Sequence, residues 1–385
     1  MSGTKNFPRI KSVRALCQQG ASGDAGADCH DVPDSHWLNC GLAPVATPMS
    51  CHPQYAATRK SWGINALGTL AVEDQMFRAT LNYGRKGLPI QAISAVDLAL
   101  WDLLGKLRKE PVYALLGGKA KDRLPVYCTT GRPDIAKSLG FVGAKIPCPY
   151  GPSDGDEGLR KNVEFYKSWR EKVGPDFPLS LDCYMALTVP YATKLARALE
   201  PHGLKWMEEF LPPDCYDGYK EVRENLRGCG VLLTTGEHEY SRYGFRQLLE
   251  SRCVDVIQPD ITWLGGVTEA RRVVAMAAAT DTLVIPHGSS VYSYHLQYAF
   301  PNCPLAEYIN MSHSADEIVP YFGGLFPDEP LPRGGFIDLP DRPGFGVTLD
   351  KTKLTRPYTR SDVESKTQAA ANANRKVPDK PHFPF

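Results

Sequence analysis

The feature that most constrains this chain is a strand-like segment closed by a charged residue, repeated between Leu179 and Glu307. Six such segments are LSLDC (Leu179–Cys183), LKWMEE (Leu204–Glu209), VLLTTGEH (Val231–His238), VDVIQPD (Val254–Asp260), TLVIPHG (Thr282–Gly288) and LAEYI (Leu305–Ile309). They carry Asp182, Glu208, Glu237, Asp260, His287 and Glu307 at or near their C-terminal ends. These residues recur every 20 to 29 positions, about the length of a strand, a loop and a helix. One acidic residue in a loop is ordinary surface. Six in phase call for an architecture that gathers the ends of successive parallel strands, and a closed barrel does so. Two earlier segments, LPVYCTT (Leu124–Thr130) and FVGAKIP (Phe141–Pro147), complete a set of eight, and the second carries Lys145.

The remaining chain reads as a frame around that barrel. A first strand is expected over Arg9–Cys17, then a Gly/Ala/Asp loop carrying His30, then Arg59 ahead of a strand-like WGINALGTLAVE (Trp62–Glu73). A helix follows over Glu73–Asn82. A longer one runs from Ile90 to Lys109, with Ile93, Val96, Leu100, Leu103, Leu104 and Leu107 spaced to form one buried face. Pro111 ends it, and Gly117 and Gly118 suit the turn that follows. Beyond Ile309 the alternation stops in Gly- and Pro-rich sequence. The expected fold is α/β: a modified TIM barrel, (β/α)7β, over 121–312. An N-terminal α+β capping domain occupies 1–120, and the C-terminal segment, 313–385, returns to the cap and ends in a polar tail.

The 385 residues hold 43% hydrophobic and 23% charged side chains at a formal net charge of +1. That composition is globular, with no general attraction to nucleic acid or a membrane surface. No run of about 18 apolar residues and no signal-peptide pattern is evident, so the expected location is the cytoplasm. Eleven cysteines include no C-x-x-C pair. Cys128, Cys148, Cys183 and Cys253 fall in or beside strands, so packed, reduced thiols are expected.

Asp182, Glu208 and Glu237 end three successive strands, and neighbouring strands lie only about 4.8 Å apart. Three carboxylates that close stay ionised only with a cation among them, and an all-oxygen donor set suits Mg2+. A salt-bridge network would need basic partners, and Lys205 is at odd spacing from Glu208, on the opposite strand face. Asp260 and His287 end the next two strands. A carboxylate on one imidazole nitrogen fixes the tautomer and raises the basicity of the other, making His287 a candidate general base, with metal ligation as the rival reading. Gly265 and Gly266 open a helix either as a close-approach ligand site or as a tight turn.

These residues resemble the enolase superfamily in its mandelate racemase branch. The resemblance rests on AVDLALWDLLGK (Ala95–Lys106) with PVYALLGG, on the Asp182/Glu208/Glu237 set, the Asp260–His287 dyad and Glu307, and on PGFGVTLD (Pro343–Asp350). KIPCPYGPSDGDEG, LDCYM, LKWMEEFLPP, TGEHEY, QPDITWLGG and PHGSSVYSYH look like the L-rhamnonate dehydratase family. The resemblance implies a Mg2+-dependent hydro-lyase acting on a small-molecule sugar acid, and a homo-oligomer. Asp182, Glu208 and Glu237 would hold the metal, and His287, Asp260 and Glu307 would be catalytic. His30, Arg59, His238 and Lys145 would contact substrate. The C2 proton would be abstracted through a metal-stabilised enediolate, giving a 2-keto-3-deoxy acid. Many superfamily members place a second lysine where this chain has Pro147, which leaves His287 as the base. The cap is shorter than the family pattern at Glu73/Asp74. Two alternatives follow: a different acid-sugar dehydratase or epimerase, or a non-catalytic member with a defective cap.

Overall fold

The computed structural model describes residues 68–355 together with the short strand β1 (Cys17–Gln18). Helices α1 (Thr69–Thr80), α2 (Leu88–Arg108) and α3 (Val112–Leu115) precede the barrel. Its strands are β2 (Leu124–Thr129), β3 (Ala144–Pro147), β4 (Leu179–Asp182), β5 (Leu204–Glu208), β6 (Leu232–Thr235), β7 (Val256–Ile257), β8 (Leu283–Val284) and β9 (Ala306–Ile309). Between them run α4 (Pro133–Ser138), α5 (Gly155–Val173), α6 (Val189–Leu199), α7 (Tyr216–Asn225), α8 (Ser241–Ser251), α9 (Gly266–Ala278) and α10 (Val291–Ala299). The eight strands are those expected from the sequence. β2 to β8 pair in parallel in chain order, and β9 pairs with β2. Among the described residues β8 and β9 share no ladder. That seam is bridged instead by the Gly288 N–H donating to the Glu307 carboxylate at 2.8 Å.

β10 (Phe336–Ile337) pairs antiparallel with the start of β2. β11 (Leu354–Thr355) pairs antiparallel with β1. Alternation of side chains layers the barrel. Tyr127, Trp206, Val256 and Ile285 form a buried apolar floor with Leu232 and Leu305 against it. One pleat further along, Lys145, Glu208 and Gln258 lie in the polar layer above. Lys205, out of phase with Glu208, is exposed as expected.

The signature segment of α2 works as a buried bracket. Asp97 accepts the Thr268 N–H at 2.9 Å, Ser94 accepts Gly265 N–H at 2.8 Å, and Trp101 donates to Thr268 Oγ1 at 2.8 Å. Gly266 sits at φ +79°, and a Cβ there would lie 2.4 Å from the Asp97 carboxylate. Gly265–Gly266 is therefore a tight turn packed on α2. Asp102 accepts Phe345 N–H at 3.1 Å and ties down the late PGFG turn. By length and composition α2 could span a membrane, but Leu98, Ala99, Leu100 and Trp101 are buried in the protein.

Two local expectations fail. The part of Trp62–Glu73 within the described residues is helix, because Thr69, Val72, Glu73, Met76 and Thr80 are buried on one helical face. Val72 and Met76 pack with Ile90, Ile93, Leu100 and Tyr240, and Arg272 pairs with Glu73 at 2.6 Å. Glu73/Asp74, the expected site of shortening, thus lies inside a continuous helix. Leu107, expected on the buried face of α2, is 50% exposed because that face ends with the last turn. Leu103 and Val96 are partly buried against the α1–α2 cluster. Cys128, Cys148, Cys183 and Cys253 are free thiols, as expected.

Asp97→Ala leaves the Thr268 N–H buried without an acceptor and should cost about 1–3 kcal/mol in urea unfolding. Asp97→Asn keeps an oxygen acceptor there and should cost far less. Equal losses would show that the carboxylate charge, not the hydrogen bond, holds α9.

Candidate active site

The C-terminal ends of β2 to β9 place the charged residues in one layer. Asp182 and Glu208 end β4 and β5 and stand opposite each other in the ladder. β6 ends at Thr235, and Gly236 at φ +135° turns the chain so that Glu237 enters the same cluster. Asp182, Glu208 and Glu237 each bring one carboxylate oxygen within 4.8 Å of the others. Glu208 and Glu237 are buried.

Lys145 from β3 lies in the middle of this layer, 1% exposed. It pairs with Glu208, with Glu307 at 2.9 Å and with Asp182 at 3.3 Å. It is the basic partner that the sequence reading found missing. Trp206 Nε1 and Gln258 Nε2 donate to the other Glu208 oxygen at 3.0 and 2.6 Å. Thr129 donates to Glu307 as well.

His287 and Asp260 form the expected dyad, with Nδ1 2.7 Å from the carboxylate. Asp260 also accepts from Thr262 N–H and Oγ1, both at 2.6 Å, and from Ser289 Oγ at 3.0 Å. With Nδ1–H donating to Asp260, Nε2 is left as the reactive nitrogen, 3.7 Å from Glu237. Burial pulls the imidazole pKa down, but Glu237, the Asp260 hydrogen bond and Glu307 outweigh it and hold it well above the usual histidine range. A cation on Glu237 would offset the strongest of those attractions and lower the imidazole's hold on its proton.

His238 sits beside this dyad. Its Nδ1 lies 2.7 Å from Glu209 and 3.3 Å from Glu237. Trp263 packs between the two imidazoles, with ring centres 5.2 Å from His238 and 5.5 Å from His287. Tyr184 stands edge-on to His238 at 5.7 Å. The sequence reading missed Glu209, Gln258 and Trp263. The acidic doublet after LKWM was a usable signal for Glu209, but strict alternation sends it to the outer face. Its backbone at φ +41° turns it back towards the site. His30 and Arg59 lie outside the described residues.

Charge decides what this layer can hold. Among the described residues, Asp182, Glu208, Glu237, Asp260 and Glu307 face three basic partners, Lys145, His287 and, beside Glu237, His238. The excess is negative, and it shows in the acids. Burial, with Asp182 and Glu307 nearby, lifts the Glu208 carboxyl to about 7 despite Lys145. Burial first, then Glu209 and Asp182, lifts Glu237 well above the usual range. Glu307 alone falls, to about 2: burial opposes its charge, but Lys145, His287 and Thr129 prevail. Protons on Glu208 and Glu237 stand where a divalent cation would serve better. A hard cation with oxygen ligands fits this donor set. Glu209, Glu237 and His238 form a second possible donor group, sharing Glu237.

The comparisons agree with this geometry. Residues 135–353 match the model described as "Enolase C-terminal domain-like", and 70–117 match "Mandelate racemase / muconate lactonizing enzyme, N-terminal domain". The chain belongs to the enolase superfamily, in its mandelate racemase and muconate lactonizing enzyme branch. It is 49% identical to an L-rhamnonate dehydratase of Saccharopolyspora erythraea, covering 91% of this chain and 99% of that one. It is similar to a crystal structure of L-rhamnonate dehydratase from Gibberella zeae, with 52% identity and a TM-score of 0.74, covering 76% of this chain and 75% of that one. A second structure, rhamnonate dehydratase from Gibberella zeae complexed with Mg, is 44% identical with a TM-score of 0.78, covering 91% and 97%. The relationship places the chain among the hydro-lyases, with Mg2+ as the metal.

Because Glu208 and Glu237 must lose protons to bind a cation, Mg2+ affinity should weaken as pH falls below about 7. Calorimetry at pH 6 and pH 8, in buffers of different ionisation heat, should show weaker binding and larger proton release at pH 6. Equal affinity without proton release would mean that the ion binds elsewhere.

Proposed function

We propose that this chain removes water from a six-carbon sugar acid, L-rhamnonate foremost, to give the 2-keto-3-deoxy acid. The observation that carries the reading is the Asp260–His287 dyad, bonded at 2.7 Å, with Nε2 aimed at the Asp182/Glu208/Glu237 cluster. A base poised beside a carboxylate-binding cation suits proton abstraction next to a carboxylate. The relatives named L-rhamnonate dehydratase support the substrate choice.

Asp182, Glu208 and Glu237 would hold Mg2+, which when bound draws charge from the substrate carboxylate and makes the C2 proton easier to remove. His287 Nε2 takes that proton and Asp260 stabilises the imidazolium, leaving the substrate as an enediolate. The C3 hydroxyl leaves as water once Nε2 returns the proton to it from the same face. The enol so formed tautomerises to the ketone. Glu307 is held ionised, so it acts as an acceptor. It anchors Lys145 and the Gly288 amide, and Lys145 presents its positive charge to the developing anion. His238, braced by Glu209, lines the pocket, and His30 and Arg59 remain substrate contacts in this reading.

A cap shortened as the sequence suggests would lead to a second outcome. The Saccharopolyspora alignment runs over 394 positions, and this chain, at 91% of 385 residues, fills about 350 of them. If the lost positions carry substrate contacts, the protein binds Mg2+ without turning over any acid sugar.

The test is a panel of sugar acids including L-rhamnonate, scored for 2-keto acid with Mg2+ and with chelator. The wild type should turn over L-rhamnonate only with metal. His287→Asn should lower kcat by at least about a hundredfold, the usual contribution of a general base, while leaving Mg2+ binding intact. Full turnover by that variant would remove the dyad from the mechanism. Mg2+ binding with no turnover of any acid would favour the defective-cap alternative.

A further inference from the structure

The segment after β9 has little regular structure, yet it is pinned across the seam between β8 and β9. Tyr308, next to Glu307 on β9, holds residue 319 from both sides: its hydroxyl donates to Val319 O at 2.8 Å and accepts from Val319 N–H at 2.9 Å. Glu329 grips the following residues. Its carboxylate accepts Tyr321 N–H at 3.2 Å and Phe322 N–H at 3.3 Å, and it also accepts Ser290 Oγ. Ser290 sits three residues past His287 in the left-handed region, at φ +48°. Its neighbour Ser289 is the residue that donates to Asp260. Tyr321 is therefore fixed between the strand of Glu307 and the loop of the base.

The Tyr321 ring stands edge-on to Phe322, with centroids 5.0 Å apart. The residue is only partly buried, and its hydroxyl has no hydrogen-bond partner among the described residues. Burial acts on that hydroxyl first, and then Asp260, Glu307, Glu237 and Glu329, which together keep the phenol un-ionised. Three of those four acids belong to the reacting layer. The phenol is thus a neutral donor on a backbone pinned beside the loop of His287, with its bonding capacity unspent. A site with an unspent donor discriminates between ligands that offer it an acceptor and ligands that do not.

We propose that Tyr321 is a specificity-determining residue, its hydroxyl bonding a hydroxyl of the sugar acid beyond C3, and that Glu329 positions it. This rests on the sugar-acid reading above. Glu329 touches no reacting atom in this scheme and acts through the Tyr321 and Phe322 amides.

The test compares kcat/KM for pairs of sugar acids that are epimeric only at C4 or only at C5. Tyr321→Phe keeps the ring and its packing. It should shrink the preference within one of those pairs by about tenfold, the worth of one hydrogen bond, through KM more than kcat. Glu329→Ala should shrink the same preference, Glu329→Gln should restore much of it by keeping one acceptor, and Tyr321→Phe/Glu329→Ala should add nothing further. Unchanged preferences in Tyr321→Phe would overturn the proposal. A Glu329→Ala loss that falls equally on every acid and adds to that of Tyr321→Phe would overturn the positioning role. If Glu329→Ala does not fold, Tyr321→Phe alone decides. Wild-type protein inactive on every acid would overturn the sugar-acid reading and this inference with it. Active wild type with an unaltered Tyr321→Phe preference sinks this inference alone.

Discussion

Lys145 and the carboxylates packed around it at the barrel mouth are the constraint on which the rest of the site depends. One buried ammonium contacts Asp182, Glu208 and Glu307. Breaking a buried pair by removing one partner leaves an uncompensated charge, a costly state. Yet Lys145 cannot balance the whole layer. It holds Glu307 ionised while Glu208 and Glu237 are pushed towards their protonated forms. The fold thus gathers more acids than basic partners at the mouth, and Glu237, the Asp260 hydrogen bond and Glu307 hold the His287 imidazole well above its usual range. In the proposed scheme, metal binding and readiness of the base would be coupled through one carboxylate, Glu237.

The barrel supports this arrangement by layering and by how it closes. Tyr127, Trp206, Val256 and Ile285 form an apolar floor beneath the polar layer. Trp206 serves both layers, packing below and donating to Glu208 above. The missing ladder between β8 and β9 leaves the base and Glu307 linked through Gly288 and the Glu307 carboxylate instead of through regular strand pairing. Residues of the reacting layer therefore also do structural service at the seam. Unusual backbone gathers at the same rim: Tyr184, Met185, Glu209 and Ser290 all take positive φ. Such conformations persist where the surroundings over-determine them.

Much of this was legible in the sequence because strand ends repeat. Six of the eight barrel strands, the three-acid set and the Asp260–His287 dyad followed from charged residues closing apolar runs in phase. What escaped lay where periodicity stops carrying information. Glu209 reaches the site through a left-handed turn that alternation does not encode. Trp263 lies in the loop after Asp260, where no pattern assigns a direction. Tyr321 sits in Gly- and Pro-rich sequence, placed by the grip of Glu329 on its amide and of Tyr308 on nearby Val319. The stretch from Thr69 to Glu73 has the apolar content of a strand. Only its packing against α2 and the Glu73–Arg272 pair make it helical. Lys145 was read as a substrate contact, and its place among three acids needed the spatial order of β3, β4, β5 and β9 to be seen.

The central claim is that the charge excess at the barrel mouth is the seat of a divalent cation. The most direct measurement is a crystal structure grown with Mg2+ at pH 8. The account predicts one ion bound by oxygens of Asp182, Glu208 and Glu237, with His287 still bonded to Asp260. An ion held instead by Glu209, Glu237 and His238, or a mouth in which Lys145 remains the only counter-charge, would contradict it.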